Sequence, residues 1–279
     1  MANTAKKPKS RNVVAEARSA GGKKSPQPLG NWLWENFKSL AGAVAIYLVV
    51  KTLFVEAFRI PSGSMIPTLL VGDWLFVNKL AYGPTIPFTN KHLPGYTNPK
   101  HNDVVVFVSP FQADEAQAGH DPTPTLVKRL IGMPGDTLYM RNGLLHLNGV
   151  PQRQGRAAEA NPKGDPNSVD PLFAWQHTVE IKNSRFGPPP AQPTHDNWGP
   201  LLIPANHYFM MGDNRYCSKD SRYWGLVPRN NVRGRPLFVY YSYVPGPGPE
   251  DNECSGQISD RPLPFISDIR WRRIGHVIR

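Results

Sequence analysis

The chain has 279 residues, 40% of them hydrophobic, which is enough for a sizeable core, while 30 prolines and 24 glycines argue against a mostly helical fold. The formal charge of +11 invites a nucleic-acid reading, but its distribution favours a basic tail beside a membrane, with nucleic-acid binding by that tail as the lesser alternative. Seven Lys/Arg stand against Glu16 alone before residue 31, whereas from Ile60 onward 22 basic residues face 18 acidic ones.

The first 36 residues form a basic tail rich in Pro, Ser, Ala and Gly. Leu40 to Val50 is then an unbroken apolar or small run, and Phe37 to Phe58 carries only Lys38, Lys51 and Glu56 as charges. Trp32 and Trp34 just upstream suit a membrane interface, and Lys38 and Lys51 can snorkel toward opposite headgroup layers. Residues 37–56 therefore read as one transmembrane helix of about 20 residues. A cleavable leader is the alternative reading, but the segment before the apolar run is long and no Ala-x-Ala site follows it. The positive-inside rule keeps the tail in the cytoplasm, beside anionic lipid, and puts residues 57–279 on the far side.

Beyond the span, β-branched and aromatic runs bounded by breakers predict strands at residues 74–77, 103–108, 208–211 and 237–241. Residues 137–140 and 144–147 flank Asn142-Gly143, a pair that favours the left-handed turn of an antiparallel hairpin. Residues 152–204 are rich in Pro, Asn, Gly and Asp and read as an insertion of loops and hairpins, with a strand-like patch at 178–181. The stretch from Gly246 to Pro264 is loop-like. The fold class expected is mainly β: an antiparallel β-sheet catalytic domain with a hairpin- and loop-rich insertion, preceded by one transmembrane helix.

Three polar runs carry the chemistry. Phe58-Arg59-Ile60-Pro61-Ser62-Gly63-Ser64-Met65-Ile66-Pro67-Thr68 brackets a serine with prolines, and Gly63 lets the chain turn and present the next side chain. Lys128-Arg129-Leu130-Ile131-Gly132-Met133-Pro134-Gly135-Asp136 sets a lysine among apolar residues, with Leu126 and Val127 before it. Gly212-Asp213-Asn214-Arg215 leads to Ser218, Asp220 and Arg222. A serine hydroxyl needs a base, and lysine serves only when neutral, which at its reference pKa is about one molecule in 2,500 at pH 7. Burial among apolar residues lowers that pKa by disfavouring the ammonium. Taken singly, Lys128 reads as an ordinary strand lysine and Ser62-Gly63-Ser64 as an ordinary loop.

Taken together and in order, the blocks at 58–69, 128–136 and 212–225, with a shorter strand block at 103–107, resemble the signature blocks of bacterial type I signal peptidases. The resemblance covers most of residues 37–241. It implies Ser64 as nucleophile and Lys128 as general base, with Ser62 and the Ser64 backbone N–H as the oxyanion hole. Ser218 would orient the lysine, and Asp220 and Arg222 would support the site as an ion pair. Ile60, Pro61, Met65, Leu69 and Val127 would line a shallow pocket for small residues, giving cleavage after Ala-x-Ala ends; their plainer reading is core packing. The substrate would bind as an added β-strand. Where the family block often reads Gly-Asp-Asn-Arg-Asp-Asn-Ser, Tyr216 and Cys217 stand here in place of its last Asp-Asn pair.

The implied protein is a serine endopeptidase of the bacterial plasma membrane. It removes signal peptides from exported preproteins, with the lipid bilayer and the protein export machinery as partners and no nucleic acid. No cofactor and no metal site are expected, since the eight histidines lack any ligand spacing such as HExxH. Three rivals fit less well. A penicillin-binding enzyme needs Ser-x-x-Lys, which Ser64-Met65-Ile66-Pro67 lacks. A membrane-tethered β binding module has no use for Lys128. An organellar signal peptidase shares the dyad, and the acid-poor tail weakly resembles a transit peptide. Cys217 and Cys254 are too few for a disulfide framework; they either pair, as an exported location allows, or stay reduced.

Overall fold

The structure, a computed structural model, describes residues 29–86, 89, 91–153, 169–245 and 266–279, with side chains described from Leu33 onward. The tail before residue 29, residues 154–168 of the expected insertion and the whole Gly246–Pro264 stretch, with Cys254 in it, lie outside the described residues.

Helix α1 (Leu29–Val49) passes into five π-helical residues, Val50–Phe54. Leu33–Phe54 is the one helix among the described residues long and apolar enough to cross a membrane, at 22 residues. At 1.5 Å per residue it spans about 33 Å, close to a bilayer core. Its large apolar side chains from Leu33 to Val50, among them Phe37, Leu40, Ile46 and Tyr47, are all exposed. A helix apolar on every side, with none of that surface packed, has lipid as its natural solvent.

The second unit, from Val49 on, is built on a seven-stranded antiparallel sheet. Its strands, from edge to edge, are β1 (Val55–Arg59), β2 (Asp73–Asn78), β11 (Val232–Ser242), β3 (Val104–Val108), β4 (Thr125–Gly132), β9 (His207–Met211) and β10 (Val227–Pro228). A smaller antiparallel sheet runs β7 (Val150–Pro151), β6 (Leu144–Leu147), β5 (Thr137–Arg141) and β8 (Trp198–Leu202). Two short helices, α2 (Ala113–Gln117) and α3 (Ser221–Trp224), sit in connections.

The hairpin β5–β6 turns at Asn142 and Gly143, both at positive φ, as the Asn-Gly pair demands. Strands β2, β3 and β9 fall within a residue of their expected ranges. The expected strand at 237–241 is the second half of a longer β11, whose register shifts let its start pair with β3 and the rest with β2. Residues 178–181 form no strand; Pro171–Thr178 is a 3-10 helix and Glu180 makes only an isolated bridge to Leu201. Val55 and Glu56, read as the end of the span, already pair with Asn78 and Val77.

Strict alternation along the central strands splits the core in two. Val104 and Val106 pack in one apolar cluster with Ile60, Met65, Leu69, Leu75 and Val77, while Val105 and Phe107 pack in another with Leu130, Tyr208 and Met210. Both faces of β3 are thus covered, which explains its unbroken Val-Val-Val-Phe run. A third cluster, around Trp198, Leu138, Met140, Phe209 and Met211, joins the small sheet to the ends of β4 and β9.

Candidate active site

Ser64 sits on a 3-10 turn, Gly63–Met65, entered from an extended Ser62 after β1. Met65 below it is buried in the first cluster, and that anchor pins the turn to the core. The third block fastens it from the other side: Asn214 N–H donates to the Ser64 carbonyl at 3.1 Å, and Asn214 Nδ2 to the Gly63 carbonyl at 3.2 Å. Gly212 has to be glycine here. A Cβ at that position would meet the Ser64 carbonyl oxygen at 2.5 Å and Ser218 Oγ at 2.2 Å.

Lys128 lies in β4 opposite Val105, between strands β3 and β9, and is 4% exposed. Its Nζ is 2.5 Å from Ser64 Oγ, so residues 64 apart in sequence share one hydrogen bond. Burial pulls the Lys128 ammonium from its ordinary value down to about 8; Asp220 and Asp213 pull upward, and Arg222 opposes them. Ser62 Oγ is 3.5 Å from Ser64 Oγ, and Ser62 is exposed while Ser64 is buried.

Two buried ion pairs frame this contact. Arg222 forks onto Asp220 through Nε and Nη2, both at 2.8 Å, and Asp220 also takes the Gly212 N–H at 3.1 Å. Burial alone would raise the Asp220 pKa, but the Arg222 charge and hydrogen bonds outweigh it and hold the carboxyl below its ordinary value. Arg129 forks onto Asp213 through Nε and Nη2, both at 2.7 Å, and Thr68 Oγ1 donates to the same carboxylate at 2.5 Å. Both pairs have the planar two-point geometry that suits arginine and carboxylate.

The sequence reading assigned no role to Arg129 or Asp213. The signal was present: a second cation beside Lys128 in a strand of apolar residues needs a buried partner. Ser218 departs from expectation. Its hydroxyl is buried with no hydrogen-bond partner among the described residues, and no bond joins it to Lys128. The lysine donates to Ser64 instead, and Ser218 packs against Gly212. Of the five residues expected to line a pocket, Ile60, Met65 and Leu69 are buried core and Val127 packs against the same cluster, while Pro61 is exposed. The plainer reading, core packing beneath the serine turn, accounts for the first three. Cys217 is disulfide-bonded; Cys254, the other cysteine of the chain, lies outside the described residues. Among the described residues no cluster of three His, Cys, Asp or Glu has the geometry to hold a metal ion.

A spanning helix followed by an antiparallel β-unit that buries a lysine against a serine is the architecture of a membrane-anchored peptidase. The family comparison narrows the class. The family "Signal peptidase, peptidase S26" matches residues 33–241, and the chain belongs to it. Signal peptidase I of Pseudomonas fluorescens is 37% identical over 224 residues, 76% of this chain and 73% of that protein. Signal peptidase I of Pseudomonas aeruginosa is 35% identical, with 76% and 73% covered. Probable signal peptidase I-2 of Synechocystis is 31% identical, over 85% of this chain and 84% of its own length.

Proposed function

We propose that the protein is a signal peptidase that removes signal peptides from exported preproteins, with Ser64 as nucleophile and Lys128 as general base. The single observation that carries the assignment of roles is the 2.5 Å approach of a buried, pKa-depressed lysine to a serine hydroxyl. Neutral Lys128 takes the Ser64 proton as Oγ attacks the scissile carbonyl carbon. Ser62 Oγ and the Ser64 backbone N–H bind the oxyanion that forms, a contribution of about a hundredfold or more for such donors. The tetrahedral intermediate collapses, the C–N bond breaks, and the ammonium of Lys128 returns its proton to the leaving amine. Lys128 then deprotonates a water that attacks the ester carbon. The bond from that carbon to Ser64 Oγ breaks, and the lysine returns the proton to Oγ as the acyl group leaves as a carboxylate.

Asp220 and Arg222 support the lysine as a paired charge. Pro61 and Val127, the members of the expected pocket with surface to offer, form its rim above the buried Ile60, Met65 and Leu69. Small residues at the cleavage site fit a rim that shallow. The basic tail lies in the cytoplasm, the helix spans the bacterial plasma membrane, and the β-unit faces outward, beside the lipid surface and the export machinery. The relatives compared above are bacterial, which favours that membrane over an organellar one.

The substrate class is tested with one preprotein whose last signal-peptide residue is varied among Ala, Leu and Lys, incubated with the full-length protein in detergent. Release of the mature chain after Ala, and its loss of about a hundredfold or more after Leu or Lys, is expected. Equal processing of all three removes the small-residue reading.

A further inference from the structure

A second buried polar set surrounds His195, in the loop that precedes β8, and the proposed reaction makes no use of it. His195 Nδ1 is 2.6 Å from Asp196 Oδ1, the imidazole stacks on Tyr216 with ring centroids 4.1 Å apart, and the Tyr216 hydroxyl donates to Asp196 Oδ2. His195 and Asp196 are both buried. On its other edge, His195 Nε2 faces Nη1 of Arg222 and lies 3.0 Å from the Arg215 carbonyl oxygen.

The donors decide the tautomer. A guanidinium N–H only donates, so Nε2 offers its lone pair and the ring proton sits on Nδ1, shared with Asp196. The Arg215 carbonyl takes its hydrogen bond from Arg222 Nη2, at 2.5 Å. Burial first, and then the Arg222 charge, hold His195 below its ordinary pKa, so the ring is neutral at working pH. Among the described residues, the charged and titratable groups that face the imidazole are Asp196, Tyr216 and Arg222, with Asp220 behind Arg222. Arg222 and Asp220 act on Lys128 in opposite senses, the first lowering and the second raising its pKa. Anything that lets the guanidinium drift from Asp220 therefore changes the proton affinity of the lysine.

We propose that His195, Asp196 and Tyr216 are positioning residues for the peptidase reaction: they hold the Arg222 guanidinium on Asp220 and so set the pH at which Lys128 becomes a base. Tyr216 lies in the turn Arg215–Cys217 of the third block, whereas His195 and Asp196 come from the loop before β8, part of the segment that reads in sequence as an insertion, so that segment tunes a centre it does not touch. The inference rests on the assignment of Ser64 and Lys128 made above.

The test uses the full-length protein in detergent with a preprotein substrate. The parameters kcat and KM are measured from about pH 6 to about pH 10, beside thermal melts. In the wild type, kcat rises along a limb near pH 8 that Lys128→Met abolishes. His195→Ala is expected to lower kcat about tenfold with KM little changed. The same change moves the limb upward by about half to one pH unit, as Asp220 loses part of its compensation. His195→Gln, whose amide oxygen accepts from Arg222 while its nitrogen donates to Asp196, restores most of both. A folded His195→Ala protein with its limb in the wild-type position overturns the proposal, however far kcat has dropped. If His195→Ala does not melt cooperatively, Tyr216→Phe decides: an upward shift upholds the role, and an unmoved limb overturns it. A wild-type rate with no Lys128-dependent limb overturns both this inference and the base assignment under it, and is read before any variant is compared.

Discussion

A lysine whose pKa burial holds at about 8 is about one-tenth neutral at pH 7, about two hundred times more than a free one, and the same shift acts on stability. The folded pKa lies below the unfolded one, so between about pH 8 and about pH 10.4 the unfolded chain binds more protons, and stability rises with pH through that window. Below it the fold carries the whole penalty of a buried ammonium. Lys128→Met should therefore make the protein more stable at pH 7, by up to about 3 kcal/mol, with the gain fading as pH climbs toward 10. Denaturant unfolding of both proteins at two pH values checks this; a Met variant less stable at pH 7 would show that the ammonium is well solvated. Gly212 gives the opposite kind of residue. With a Cβ 2.5 Å from the Ser64 carbonyl, Gly212→Ala must displace the serine turn, and a loss of about a hundredfold in kcat is expected. Wild-type turnover in that variant would mean that the turn yields freely.

Strand β4 and the block after β9 form the scaffold that brings these residues together. The Arg129–Asp213 pair links the two across 84 residues, and both side chains are buried. Removing one partner leaves a buried charge alone, so Asp213→Ala should cost about 3–5 kcal/mol, read as a lowered denaturation midpoint. A change under 1 kcal/mol, on the scale of a surface pair, would place Arg129 in water. The elements that showed in the sequence were those with a strong local signal: β3 with its β-branched run, and the hairpin at Asn142-Gly143. Strand β1 was hidden because Val55-Glu56-Ala57 prolongs an apolar helix without a breaker. Strand β8 was hidden by Gly199 and Pro200, which it tolerates as the edge of the smaller sheet. Strand β4 reads as a strand at Lys128, but the burial of Lys128 and Arg129 in its middle was obscured, because only distant partners can justify charges there. The same limit applied at the site. Ser64 and Lys128 stood out through their blocks, whereas His195 and Asp196 lie in a stretch with no local pattern and matter only through Arg222.

At the scale of the whole molecule, a helix apolar on every side precedes an enzyme unit with a core of its own. Protease added outside intact spheroplasts should digest the part after about residue 57 and spare the tail, as the positive-inside rule requires. Protection of the β-unit would reverse the orientation. The central claim is that Ser64 and Lys128 together perform the cleavage. The measurement that tests it most directly is processing of one signal-peptide-bearing preprotein by wild type, Ser64→Ala, Lys128→Met and Lys128→Arg. Each protein is full-length, shown to be folded by its melt, and assayed in detergent at about pH 9. All three variants are expected to fall to background, the arginine included, because its guanidinium stays charged and cannot accept the serine proton. Turnover at the wild-type rate by any one of them would contradict the pairing.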